Sequence, residues 1–162
     1  LAPDYYARGR QDNLISQFCK VVARYLALWI GKIMTVFYQS SNNVMVMVEP
    51  KYEKERSKPE QSLYVFSYHV SMRNDGAVPI QISKRSWIIT DAFLNVEYVE
   101  GEGVVGEQPV IMPGDTYSYI SFCPLKTSFG TMKGHYLGVT DAGKSIKIDI
   151  PEFILAHPFA IQ

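Results

Sequence analysis

The chain has little cysteine and little histidine. Its 162 residues include only two cysteines, Cys19 and Cys123, and three histidines, His69, His135 and His157. Disulfide-stapled secreted domains are short and cysteine-dense, so this usage fits a reducing, intracellular compartment. No histidine stands at metal-ligand spacing from either cysteine, so no metal centre is expected. A basic excess is also missing, since 16 Lys+Arg balance 16 Asp+Glu. Nucleic-acid binders draw much of their affinity from phosphate neutralisation, so direct nucleic-acid binding by this chain is not expected. An uninterrupted apolar run is lacking too. A spanning helix needs about 20 mostly uncharged residues, and Lys20, Arg24 and Lys32 break the greasiest stretch into shorter pieces. What is abundant is apolar surface: at 47% hydrophobic and 20% charged residues, the chain can bury a core and is not globally disordered.

The first forty residues differ from the rest. They carry Arg8, Arg10, Lys20, Arg24 and Lys32 against Asp4 and Asp12, which leaves the remainder acidic by the same margin. Over 14–38, no proline intervenes. Ser16, Lys20, Arg24, Ala27 and Gly31 form a narrow strip, while Ile15, Phe18, Val22, Leu26, Trp29, Ile33 and Val36 make a wide apolar surface. That pattern predicts a helix. One sandwich offers such a helix a single contact face, and large exposed apolar patches mark partner sites. The helix is therefore expected to dock into another protein. Two domains follow: a helical extension over 1–42 and a strand-rich domain over 43–162.

From residue 43 the period becomes two. Val44, Val46 and Val48 alternate with Met45 and Met47, and Tyr64, Phe66, Tyr68 and Val70 alternate with Val65, Ser67, His69 and Ser71. Such alternation predicts half-buried strands. Further strands are expected over 78–83, 86–90, 94–99, 108–112, 116–122, 135–140 and 145–150. Turn chemistry punctuates them at Asn74-Asp75-Gly76, Pro113-Gly114-Asp115 and Asp141-Ala142-Gly143. Short strands at this spacing predict a mainly β fold, an antiparallel sandwich of immunoglobulin/fibronectin III type with an α-helical extension at its amino end.

Gly101, Gly103 and Gly106 have the spacing of a dinucleotide-binding fingerprint. That fingerprint requires a helix after the third glycine, on whose N-terminus the pyrophosphate sits. Pro109 and Pro113 exclude one here, and Glu100, Glu102 and Glu107 repel phosphate. Two readings stay open for the loop: glycine serving positive φ in a tight connection, or Glu102 and Glu107 collecting a divalent cation.

The stretches VFSYHVSMRNDGAVPIQISKRSWIITDA, VEYVEGEGVVGEQPVIMPGDTYSYISFCPLKTSFGTMKGHY and IPEFILAHP, matching in order, resemble the ApaG domain over roughly residues 44–160. The resemblance implies an immunoglobulin/fibronectin-like sandwich found as small bacterial proteins and as a module of eukaryotic F-box and DNA polymerase delta-interacting proteins. It implies no established enzymatic activity, a protein-interaction role in the eukaryotic members, and links to divalent cations and nucleotides in bacterial ones. Carried over by position, the family's glycine loop is Gly101, Gly103 and Gly106. Its other motifs fall on Arg85, Trp87 and Asp91, on Cys123, Pro124 and Leu125, and on Gly130, Met132, Gly134 and Tyr136. Two departures stand out. Ser86 occupies a position where the family often has histidine, and Ala92-Phe93-Leu94 replaces a polar Asn-Gly turn, so that end of the sandwich is expected to be covered.

No Ser/His/Asp or Cys/His constellation emerges from the spacing, and Cys123 beside Pro124 reads as packing rather than nucleophile. The expectation is a non-catalytic structural or adaptor protein without cofactor, a subunit or accessory factor of a larger protein complex docked through its amino-terminal helix. Its partners would be the other protein subunits of that assembly. The basic amino-terminal part and the missing initiator Met favour a mitochondrial over a cytosolic location. The alternative is a stand-alone binder of a small ligand or divalent cation at the glycine loop.

Overall fold

Alternating side chains become strands along most of the chain's length. The structure, a computed structural model, describes residues 35–158. The strands are β1 (Phe37–Ser41), β2 (Val44–Tyr52), β3 (Tyr64–Asn74), β4 (Ile80–Asp91), β5 (Val96–Glu102), β6 (Val110–Ile111), β7 (Thr116–Leu125), β8 (Phe129–Thr140) and β9 (Ser145–Ala156). All pairings are antiparallel. One sheet runs β1-β2-β3-β7 and the other β5-β4-β8-β9, with the short β6 also on β4. The valines of β2 and Phe66, Tyr68, Val70 and Met72 of β3 are buried from one sheet, and Ile82, Trp87, Met132, Tyr136, Ile148 and Phe153 from the other. Rings meet across the layers: Tyr68 lies 5.4 Å from Trp87 and 5.7 Å from Phe153. This is a mainly β, two-sheet sandwich.

Three expectations need correction. First, residues 35–38 are not helical and the division between 42 and 43 falls inside a hairpin. β1 pairs with β2, Phe37 opposite Val48, and Phe37 is buried against Phe153 while Tyr38 is exposed. The turn is made by Asn42 and Asn43, both at positive φ (48° and 60°), the conformation that two-residue hairpins require and that asparagine tolerates. The chain divides between Thr35 and Val36. The rest of the expected helix, with Ile15, Phe18, Val22, Leu26, Trp29 and Ile33, lies outside the described residues.

Second, the strands expected over 78–83 and 86–90 are one. A bulge between Ile82 and Lys84 shifts the parity, so Ile80 and Ile82 point inward before it and Trp87 after it. A second bulge, where β8 passes from Met132 to Gly134, does the same to β9. Ile148 and Ile150 are buried before it, and Phe153 and Leu155 after it. Third, the apolar turn is not covered by any described residue: Phe93 is 79% and Leu94 80% exposed.

Asn74, fully buried, closes the end of β3. Its Nδ2 donates to the carbonyls of Val78 (2.8 Å) and Ile111 (3.0 Å), and its Oδ1 accepts from the Gly76 amide (2.9 Å). Among the described residues, no helix is long and apolar enough to cross a membrane.

Candidate functional site

The glycine loop follows directly from β5. Val104 and Glu107 exchange backbone hydrogen bonds (2.8 and 2.9 Å), so Val105 and Gly106 are the two central residues of a tight hairpin. Both have positive φ, 49° and 81°, which marks a primed turn. Glycine is at home there; the β-branched Val105 is not, and its backbone is strained. Val104 plugs the core, fully buried. Gly103 has φ +56°, donates to the Ser83 carbonyl at 2.7 Å, and passes so close to Glu107 that a Cβ would overlap that residue's carbonyl. Gly101 leaves room for the Arg85 guanidinium, whose atoms lie 2.9 Å from where a Cβ would stand. Arg85 uses that room to donate Nη1 to the carbonyls of Glu102 and Gly103, both at 3.0 Å. Gly103 and Gly106 thus have a reason in the backbone and Gly101 in the Arg85 side chain.

Two expected outcomes separate these positions. Gly106→Ala meets nothing within 4 Å and pays only for its positive φ, a cost of about 1 kcal/mol. Gly103→Ala adds the collision with Glu107 and should cost clearly more. Thermal melting of the two variants checks the order, and equal losses would remove the close approach at Gly103 as its cause. A function lost in Gly103→Val therefore reports on the fold before it reports on any ligand.

The two glutamates of the loop do not work together. The Glu107 carboxylate accepts from the Tyr117 hydroxyl at 3.1 Å, whereas Glu102 stands opposite Lys84 on the outer face of the sheet. Among the described residues, no three His, Cys, Asp or Glu side chains converge as a metal site.

The remaining motif residues are spread along the sandwich. Trp87 and Tyr136 sit in the core with their rings 6.3 Å apart. Gly134, on β8 opposite Trp87, lies so close to the Ser86 carbonyl that a Cβ would overlap it. Asp91 is at the far end of β4 from the glycines. Its Oδ1 accepts from the amides of Phe93 (2.8 Å) and Asn95 (2.9 Å) and its Oδ2 from the Asn95 side chain (2.9 Å), which holds the β4–β5 turn. Hydrogen bonding, first from the Asn95 side chain, keeps its carboxyl below the usual value. Cys123 is buried, and burial pushes its thiol up to about 12, the opposite of what a thiolate nucleophile needs. Pro124, next to it, is exposed.

What sequence reasoning missed is a row across the outer face of the second sheet. Register places Ser86 opposite both Glu100 on β5 and His135 on β8, and His135 opposite Asp149 on β9. Ser86 is short between longer neighbours, and a depression of about 410 Å³ opens there, lined by Lys84, Ser86, Glu100, Glu102, His135 and Leu137 among others. Alternation could have placed each residue on an outward face. Only register brings them together, and register between distant strands is not written locally.

Comparison with known proteins agrees with this architecture. The ApaG domain model matches residues 54–140. Protein ApaG of Caulobacter vibrioides is 44% identical over 130 residues, covering 80% of this chain and 93% of that protein. Protein ApaG of Bordetella pertussis is 47% identical over 116 residues, covering 72% and 88%. A crystal structure described as that of an ApaA protein from Bordetella pertussis superposes with a TM-score of 0.70 at 45% identity, over 75% of this chain and 96% of that one. With the match running through the glycine loop, the Arg85–Trp87 strand and the core aromatics in order, the chain belongs to the ApaG domain family.

Proposed function

We propose that the protein is a non-catalytic interaction domain, an adaptor or accessory subunit that acts by binding other proteins. The observation that carries this reading is the apolar end of the β4–β5 hairpin, where Phe93, Leu94, Val96 and Tyr98 are all exposed, at 79%, 80%, 49% and 72%. Contiguous exposed apolar surface is costly in water and marks a place where a partner sits. The motif residues, by contrast, are engaged in building the fold. Arg85 and the glycines shape a turn, Asp91 holds another, and Trp87, Tyr136 and Cys123 are buried. The apolar pattern from Ile15 to Ile33 would give such an assembly a second contact. A mitochondrial location gains nothing from the relatives described above, which are bacterial.

The depression beside Ser86 favours a second reading, a small-ligand binder that works alone. Native size fractionation of the endogenous protein, with mass spectrometry of co-migrating chains, separates the two. Fixed companions in a larger particle are the expected result. Migration as a single chain would overturn the adaptor reading and direct attention to ligand titration at Ser86, Glu100 and His135.

A further inference from the structure

β5 is an edge strand, paired with β4 and with no other described strand. At its two ends the Asp91 amide donates to the Asn95 carbonyl and the Gly103 amide to the Ser83 carbonyl. Antiparallel bonding alternates along a strand, so Glu97, Val99 and Gly101 direct their backbone groups to β4. The amides and carbonyls of Val96, Tyr98, Glu100 and Glu102 then face the free edge. Side chains of these same four residues stand on the outer face, in the order apolar, aromatic, acidic, acidic, and all four are exposed.

The charge on this edge is one-sided. From Asp91 to Leu125 the chain has six carboxylates (Asp91, Glu97, Glu100, Glu102, Glu107 and Asp115) and neither Lys nor Arg. The ion pairs among the described residues, Lys51–Glu53, Arg73–Asp75, Lys133–Glu152 and Lys147–Asp149, engage none of the β5 glutamates. Across β4, register places Lys84 opposite Glu102 but uncharged residues, Ser86 and Ile89, opposite Glu100 and Glu97, and the Arg85 guanidinium hydrogen-bonds two loop carbonyls.

We propose that the free edge of β5 receives an extended segment of a partner protein as an added strand, with apolar side chains beside Val96 and Tyr98 and Lys or Arg beside Glu100 and Glu102. This rests on the interaction-domain reading and deepens it by naming the partner's chemistry. Backbone pairing supplies affinity in such additions, and alternate side chains supply selectivity. Opposite charges across neighbouring strands attract and like charges repel. Pairing with β5 of a second copy would bring an acidic edge against an acidic edge, so charge complementarity selects a basic segment, assigned here to another protein. The selectivity has period two: two apolar and then two basic residues at alternate positions, or the reverse order for the opposite strand direction.

The test is selection of random decapeptides displayed on phage against the full chain at low salt, followed by synthesis of the enriched sequences. Enrichment of the alternating apolar–basic pattern is expected. Binding should weaken about tenfold or more in the Glu97→Lys/Glu100→Lys/Glu102→Lys variant and at high salt, where exposed charge pairs are screened. N-methylation of the peptide amides at one set of alternate positions should abolish binding, and methylation of the other set should not; this arm leaves the protein untouched. Neutral or acidic winners, no enrichment, indifference to both methylation sets, or self-association of the chain through β5 would each overturn the proposal. Winners that bind the triple variant as well as the parent would overturn the β5 edge while leaving the interaction reading standing. That reading fails separately, if the endogenous protein migrates without companions.

Discussion

Replacing Trp87 with alanine is expected to destabilise the fold by about 3–5 kcal/mol, the usual cost of emptying a core aromatic site. Native domains are stable by only about 5–15 kcal/mol, so the variant should be largely unfolded well below the parent's denaturation midpoint. The reason lies in where Trp87 stands. It is 2% exposed in the middle of β4, between Val99 on β5 and Gly134 on β8. Its ring meets Tyr68, Tyr136 and Phe153 edge-on, with centroids 5.4, 6.3 and 6.0 Å away. Tyr68 belongs to the facing sheet, so one side chain ties the two layers together. The hole cannot close by a shift of β8, because the backbone at Gly134 already lies against the Ser86 carbonyl. Urea denaturation followed by far-ultraviolet circular dichroism checks this. A loss below about 0.5 kcal/mol, the size of an ordinary surface change, would show that the inter-sheet packing does not depend on Trp87.

The core was legible in the sequence where alternation runs unbroken. Val44, Val46 and Val48, and Phe66, Tyr68 and Val70, are buried as their spacing predicts. Legibility failed where parity breaks. The bulge after Ile82 moves the inward set from even to odd positions, which reads locally as the end of one strand and the start of another. β1 was lost for a different reason: Phe37 continues an apolar helical pattern from upstream, and the Asn42-Asn43 turn that fixes it as a strand lies beyond that pattern. The glycine loop could be separated from a nucleotide cradle by Pro109 and Pro113, but the Arg85 guanidinium over Gly101 could not be foreseen. That contact depends on which strand lies beside β5. The row Glu100–Ser86–His135 and the free edge of β5 belong to the same class of information. Pairing order and register are set by the whole core at once, because shifting one strand by a single residue turns every side chain to the other face.

Alkaline pH should unfold this protein more steeply than it would a domain whose tyrosines lie at the surface. Tyr136 is fully buried and its hydroxyl is hydrogen-bonded to that of Tyr119. Burial raises both phenols, Tyr136 well above its ordinary value, and burial raises Tyr68 as well and pushes the Cys123 thiol up to about 12. In the unfolded chain, tyrosine loses its proton near about pH 10 and cysteine near about 8.5. Between those values and the raised folded ones, only the unfolded state releases protons, so stability is full below the unfolded values and falls as pH rises. Each such group contributes a slope of about 1.4 kcal/mol per pH unit. Among the described residues, the acid side has no comparable source of slope. The lowered carboxyls Glu53 and Asp91 are held by hydrogen bonds, first from the Ser67 and Asn95 side chains respectively, but both are half-buried and in contact with solvent, which screens their contribution. The melting temperature should therefore hold steady near neutral pH, begin to fall above about pH 8.5, and drop steeply above about 10. The tyrosinate absorbance of the buried phenols, Tyr68, Tyr119 and Tyr136, should appear only as the circular dichroism signal collapses. Tyr136→Phe removes one of these groups, so its stability should decline less steeply with pH even though leaving Tyr119 without its partner costs about 1–2 kcal/mol at neutral pH. Complete tyrosinate formation near about pH 10 with the fold intact would contradict the burial of the Tyr119–Tyr136 pair.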